Sequence, residues 1–163
     1  MLSFEFTQRI GKLEPRKGGY CFLYLSADTI NQFEKKRDVR LVCQIDNKVS
    51  YSCGLNHTGD ANFFIILSKK NLKALGKEEG DEVTFKIYED PLPLGVEVPE
   101  VLQVLLDQDP DLNTIYEAVT DGAKRSLIYY IKQVKNVDTQ VKRVLETLEK
   151  FRLKQQQKVH KRT

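Results

Sequence analysis

The chain has no tryptophan, one methionine, two histidines and three cysteines in 163 residues. His57 and His160 lie far apart, and Cys21, Cys43 and Cys53 form no C-x-x-C pair. A zinc-type centre needs three or four ligands at tight spacing, so no metal site is expected. Three thiols behind an N-terminus that alternates apolar and polar residues, and so reads as a strand rather than a signal peptide, point to reduced cysteines and a cytoplasmic location. Long apolar runs are also missing. Nothing approaches the roughly 20 residues that span a bilayer, which argues against membrane insertion. The formal charge is only +3, from 26 basic and 23 acidic residues, too small by itself to imply nucleic acid. What remains is a globular composition: 40% hydrophobic residues with 9 glycines and 5 prolines, rich enough to build a core.

An internal repeat organises the first ninety residues. Phe22-Leu23-Tyr24-Leu25-Ser26 aligns with Phe64-Ile65-Ile66-Leu67-Ser68 at an offset of 42. The same offset matches Ile30 with Leu72, Phe33 with Leu75, Leu41 with Val83, Cys43 with Phe85 and Ile45 with Ile87. The apolar runs predict strands buried on both faces, and Ser26 and Ser68 predict helix N-caps. Ile30/Phe33 and Leu72/Leu75 have the i, i+3 spacing of short inward-facing helices. Leu41, Cys43, Ile45 and Val83, Phe85, Ile87 alternate with polar residues, as half-buried strands do. A further strand is expected before each unit, through Phe4 and Phe6 and through Val49, Tyr51 and Cys53. Six strands related by a pseudo-twofold axis would remove their edges by closing into a small barrel.

One hairpin fixes a register. A three-residue loop Asp46-Asn47-Lys48 pairs Ile45 with Val49, Cys43 with Tyr51 and Leu41 with Cys53, which puts all six on one face.

Asp90-Pro91-Leu92-Pro93-Leu94-Gly95 is a stiff, non-helical connector, and beyond it the period changes to 3.6. Pro99, then Asp109-Pro110, then Thr120, then Asp138 or Thr139 mark four helix starts. Residues 97–121 hold seven acids and no Lys or Arg, whereas 122–163 hold twelve bases against three acids. A solvated face, or attraction between the helices themselves, is the favoured explanation of this polarity. The last ten residues are polar and basic, expected as a frayed helix extension or a disordered tail.

Few residues suggest chemistry. His57 and Asp60 flank a polar loop and are the candidates for acid–base work, although hydrogen bonds that turn the loop explain them more cheaply. Lys124, Arg125, Lys142 and Arg143 are the candidates for a phosphate-facing or partner-binding surface, Arg143 foremost. No nucleophile–base set and no nucleotide loop is visible, so no catalytic residue, no cofactor and no enzyme activity are expected.

Val98-Pro99-Glu100, Leu102, Leu105, Asp109-Pro110, Tyr116, Lys124-Arg125, Tyr129-Tyr130-Ile131, Lys135, Thr139 and Lys142-Arg143-Val144 resemble the YdeI/OmpD-associated, or bacteriocin-protection, family. Residues 3–90, with Ile45-Asp46-Asn47 and Gly80-Asp81-Glu82-Val83, resemble the β-barrel domain of unknown function that often precedes it. The resemblance implies a double-split β-barrel, distantly similar to AbrB/MazE-type transcription factors, and a bacterial role in bacteriocin tolerance.

The expectation is therefore an α+β chain: a six-stranded pseudo-twofold double-split β-barrel with two short helices in residues 1–90, a linker at 91–97, about four helices in 98–153 and a basic tail at 154–163. Its expected role is that of a non-enzymatic binding or regulatory module in stress or bacteriocin tolerance, with a protein or small-molecule partner. Nucleic-acid binding through the basic C-terminal helices and tail, or a small-molecule enzyme using the barrel loop around His57, are the alternatives.

Overall fold

The structure, a computed structural model, describes residues 1–162. The chain is α+β and divides into two compact units, Met1–Gly95 and Val96–Thr163.

The first unit contains β1 (Ser3–Arg9), β2 (Gly11–Lys12), β3 (Cys21–Leu25), α1 (Ala27–Ile30), β4 (Leu41–Ile45), β5 (Val49–Cys53), β6 (Asn56–His57), β7 (Phe63–Leu67), α2 (Lys69–Leu75) and β8 (Glu82–Glu89). They form two antiparallel four-stranded sheets, ordered β1-β8-β4-β5 and β2-β3-β7-β6. The expected single barrel of six strands is corrected here: among the described residues there are eight strands in two sheets and no closed barrel. The cause lies at two interruptions. Ile10 bonds to the turn at 80–81, donating to Asp81 O at 2.9 Å and accepting from Gly80 N at 2.9 Å. The segment therefore leaves β8 there and joins β3 two residues later. Gly54-Leu55 makes the corresponding break between β5 and β6.

The repeat is visible in the pairing. Exchanging the two copies maps each sheet order onto itself reversed. Leu23 faces Ile65 at the middle of the β3–β7 ladder, and Gln44 faces Lys86 in the β4–β8 ladder; each partner is the residue 42 positions on. Ser26 and Ser68 cap α1 and α2, accepting from Thr29 N at 3.2 Å and Asn71 N at 3.1 Å. The copies differ in how they return. Gly76 and Gly80 take positive φ after α2, whereas the first copy turns through a 3-10 turn at Lys36–Asp38 with Lys36 itself at φ 48°.

Alternation decides what is buried. Leu41, Cys43 and Ile45 meet Val83, Phe85 and Ile87 inside, joined by Leu23, Leu25, Ile65, Leu67, Ile30, Phe33 and Leu75. The strands expected to be covered on both faces are not. Phe22, Phe64 and Ile66 are half-buried and Tyr24 is exposed, so β3 and β7 hide one side only. The β4–β5 hairpin has the three-residue connection and the register Leu41↔Cys53, Cys43↔Tyr51, Ile45↔Val49. Asp46 and Asn47 adopt positive φ at its tip. All three thiols are free.

The second unit contains α3 (Glu100–Gln108), α4 (Pro110–Glu117), α5 (Asp121–Lys132) and α6 (Val137–Arg162). Asp109 caps α4 by accepting from Asp111 N and Leu112 N, and Thr120 caps α5 by accepting from Ala123 N. The cap of α6 differs from the expected Asp138 or Thr139: Asn136 Oδ1 accepts from Thr139 N at 3.0 Å, so the cap lies two or three residues earlier and the helix opens at Val137. Leu102, Leu106, Tyr116, Leu127, Ile128, Ile131, Val144 and Leu148 form its core. The basic end, rather than fraying, continues α6 as far as Arg162, and Gln155 Nε2 donates to Ile115 O at 3.1 Å. Among the described residues no helix is long and apolar enough to cross a membrane.

Candidate functional site

In the first unit the structure places His57 and Asp60 in separate environments. His57 ends β6 opposite Phe63, the two ring centres 5.1 Å apart. Asp60 accepts from the Thr58 hydroxyl and from Asn62 N at 3.1 Å, closing the loop 58–62. These bonds, Thr58 first and then Asn62, hold its carboxyl below the usual carboxylate range. Asp60 is therefore occupied in shaping the loop, and His57 packs on an aromatic ring.

Sequence reading missed a polar cluster at the end of the β4-containing sheet. Ser52 Oγ donates to buried Asp90 at 2.6 Å and accepts from Arg40 Nη2 at 3.3 Å, while Asp90 also accepts from Leu92 N at 2.9 Å. Arg40 Nε is buried without a partner. Nothing in the spacing of 40, 52 and 90 brings these residues together; only the strand pairing does.

The cationic candidates of the second unit are distributed along α5 and α6 rather than gathered. Lys124, 12% exposed at its side chain, reaches Glu117 at 3.2 Å and lies 5.1 Å from the Tyr116 ring centre, clipping the α4–α5 turn. Tyr116 is buried, and burial, then the Glu117 and Asp121 charges, push its hydroxyl above its ordinary value. Arg125, next to Lys124 in α5, is half-buried and is also engaged. Arg143 meets the opposite end of α5, where Tyr130 and Gln133 lie about 9–14 Å along the helix from Lys124. It donates to Tyr130 O at 2.7 Å and to Gln133 Oε1 at 3.1 Å, and it stacks on the Tyr130 ring. Lys142 is exposed, with Glu146 3.9 Å away, a pair that contributes little.

A concave apolar site lies elsewhere in the unit. A groove of about 470 Å³ is lined by Pro99, Glu100, Val101, Val104, Leu105, Val137, Gln140 and Val141. It forms where the first turns of α3 and α6 meet. The α6 stripe that buries Val144 and Leu148 continues outward through Val141 and Val137, and α3 turns Val101, Val104 and Leu105 toward it. Val104 is 43% exposed and Val137 61%, so the groove carries uncovered apolar surface. Glu100 gives its rim negative charge, and Gln140 is held by donating to Val134 O at 2.8 Å. The apolar stripe of α6 carried a signal for this groove; the helix start at Val137 was the missing part. Among the described residues no group of His, Cys, Asp or Glu could hold a metal ion.

Two family matches divide the chain much as its units do. Residues 6–87, half of the chain, match the family described as Domain of unknown function (DUF1905). The chain belongs to that family. Residues 95–153 match the family described as Bacteriocin-protection, YdeI or OmpD-Associated. No curated protein matches the chain. In this DUF1905 protein, then, His57 and Asp60 fall within the DUF1905 match, whereas the groove, Lys124, Arg125, Lys142 and Arg143 fall within the bacteriocin-protection match.

Proposed function

We propose that this DUF1905 protein is a non-enzymatic binding module of the cytoplasm, acting in stress or bacteriocin tolerance. Its groove between α3 and α6 takes an apolar, cationic segment of a protein partner. The observation that carries this reading is the pairing of half-exposed Val104 with exposed Val137 across an apolar floor, under the Glu100 carboxylate. Apolar surface supplies affinity, and the acidic rim selects the sign of the partner. The engagement of Lys124, Arg125 and Arg143 within the fold supports it too, because it occupies three of the four cations singled out for a phosphate-facing surface.

The test is amide NMR of the full chain titrated with a synthetic amphipathic Lys/Val helical peptide, alongside duplex and single-stranded DNA and RNA. Shifts centred on Val104, Val137 and Val141, and a roughly tenfold loss of affinity in Val104→Lys, are expected. Salt-sensitive binding of nucleic acid with no response to the peptide would replace this reading by nucleic-acid recognition.

A further inference from the structure

The chain itself contains a segment with the chemistry that the groove calls for. Residues 154–162 carry Lys154, Lys158, Lys161 and Arg162 and no acid, and Val159 among them is 64% exposed. They continue α6 as helix, so they present an apolar side chain between cations. Facing them in charge, residues 97–111 carry Glu97, Glu100, Asp107, Asp109 and Asp111 and no base, and Asp138 opens α6 beside the groove.

No copy can place its own terminal turns in its own groove. Val137 and Val159 belong to one uninterrupted helix, and 22 residues of it separate them by about 33 Å. The occupant must come from another molecule.

We infer that the groove receives the terminal turns of α6 from a second copy of the chain, with the two α6 helices antiparallel and both grooves filled reciprocally. This rests on the reading of the groove as a binding site for an apolar, cationic segment, and it names that segment.

Three features of α6 agree with a twofold axis near Glu149. Leu145 and Leu153, 43% and 46% exposed, lie four residues to either side of it and come opposite one another across the axis. The same axis brings the Val137 end of one helix against the Val159 end of its mate, so the basic terminal turns meet Glu100 at the groove and Asp138 twice over. At about 100° per residue all four exposed apolar positions fall on one half of the helix surface. An isologous contact of this kind closes on itself, because each copy offers both groove and terminal turns. Antiparallel alignment also sets opposite helix dipole ends together. An anionic small molecule is the weaker occupant, since Glu100 lines the cavity.

The test is the mass of the full chain by sedimentation equilibrium over a range of concentrations, at low and high salt. A salt-sensitive dimer is expected. The double reversals Glu100→Lys with Asp138→Lys, and Lys158→Glu with Lys161→Glu, should each weaken it about tenfold or more, and combining all four should restore it. All four side chains are exposed, and the terminal pair lies beyond the buried core of the unit, so circular dichroism should show unchanged helix. A monomer at every concentration, or a dimer indifferent to both reversals, overturns the inference. If the monomer still answers the Lys/Val peptide at Val104 and Val137, the groove stands as a site for a different partner. If it answers neither, both readings fall.

Discussion

Arg143 donates to the backbone oxygen of Tyr130 at 2.7 Å while its guanidinium carbon lies 4.2 Å from the centre of the Tyr130 ring. One side chain from α6 thus satisfies a carbonyl in the last turn of α5 and covers the aromatic face beside it. The last carbonyls of a helix have no partner within it, and a cation there also opposes the dipole. The most prominent cation of the sequence is thereby a clamp between two helices.

Arg143→Ala is expected to destabilise the second unit by about 1–2 kcal/mol, from a charge-assisted bond and a partly exposed cation–π contact. Arg143→Lys should recover little of this, because an ammonium cannot donate to Tyr130 and Gln133 while stacking flat on the ring. Thermal unfolding followed by circular dichroism at the helix band measures both. Wild-type stability in Arg143→Lys would show that only the charge matters.

A second prediction concerns acid. Asp46 sits at the positive-φ tip of the β4–β5 hairpin, receives Lys77 Nζ at 2.7 Å, and accepts from Thr84 N at 3.0 Å. Partial burial pushes its carboxyl up, but the Lys77 bond and the Thr84 amide outweigh that and leave it below its ordinary value. A carboxyl depressed by folding contributes stability above its unfolded pKa and loses it as pH falls through the folded one. Asp46→Ala should therefore cost about 1–3 kcal/mol at neutral pH and flatten the loss of stability below the carboxylate range. Denaturant melts at neutral and strongly acid pH would show it; parallel pH profiles for the two proteins would refute it.

How much of this was legible differs from element to element. The 42-residue offset located Leu23 opposite Ile65 and both serine caps, because strand alternation and capping are written in residue type. The hairpin register followed from keeping Leu41, Cys43, Ile45, Val49, Tyr51 and Cys53 on one face. What escaped depended on backbone groups, which every residue shares. Ile10 interrupts the ladder through its own N–H and C=O, and nothing apolar or polar in its side chain announces that. Arg143 was recognised as a cation, yet its partner is a carbonyl. The groove was half legible: the helical spacing of Val141, Val144 and Leu148 marks an apolar stripe in the sequence, and its continuation to Val137 was hidden by the placement of the helix cap.

Cys43 gives a third prediction, at alkaline pH. Its thiol is buried between β5 and β8, and that burial, opposed only weakly by the Tyr51 hydroxyl, raises it to about 12. Burial raises the Cys53 thiol and the Tyr51 hydroxyl as well. A pKa raised by folding gives stability that is intact below the unfolded thiol value and lost as pH climbs toward the folded one. Stability should hold to about pH 9 and then decline toward pH 12, with Cys43 contributing about 4 kcal/mol of the fall. Cys43→Val should remove part of that slope while leaving neutral stability within about 1.5 kcal/mol. At pH 8, a thiol reagent should react with Cys21 well before Cys43; equal rates would contradict the burial argument.

Gly95 supplies the last prediction. It ends the first unit with φ +73°, a conformation that disfavours any side chain, and a Cβ there would lie 2.6 Å from Ser52 Oγ and 2.7 Å from Arg40 Nε. Both atoms belong to the cluster that holds Asp90 in place through the 2.6 Å Ser52 bond. Gly95→Ala must either lift the connector away or push Arg40 and Ser52 apart, and either movement strips partners from a carboxylate that is only 8% exposed. The expected cost is about 2–4 kcal/mol, strain and lost hydrogen bonding together. Asp90→Asn should cost less, since the amide oxygen still accepts from Leu92 N and its NH2 can donate to Ser52 Oγ, and Gly95→Ala in the Asp90→Asn background should cost less than in the wild type. A double-mutant cycle by chemical denaturation measures that difference, and strict additivity would show that Gly95 does not act through this cluster.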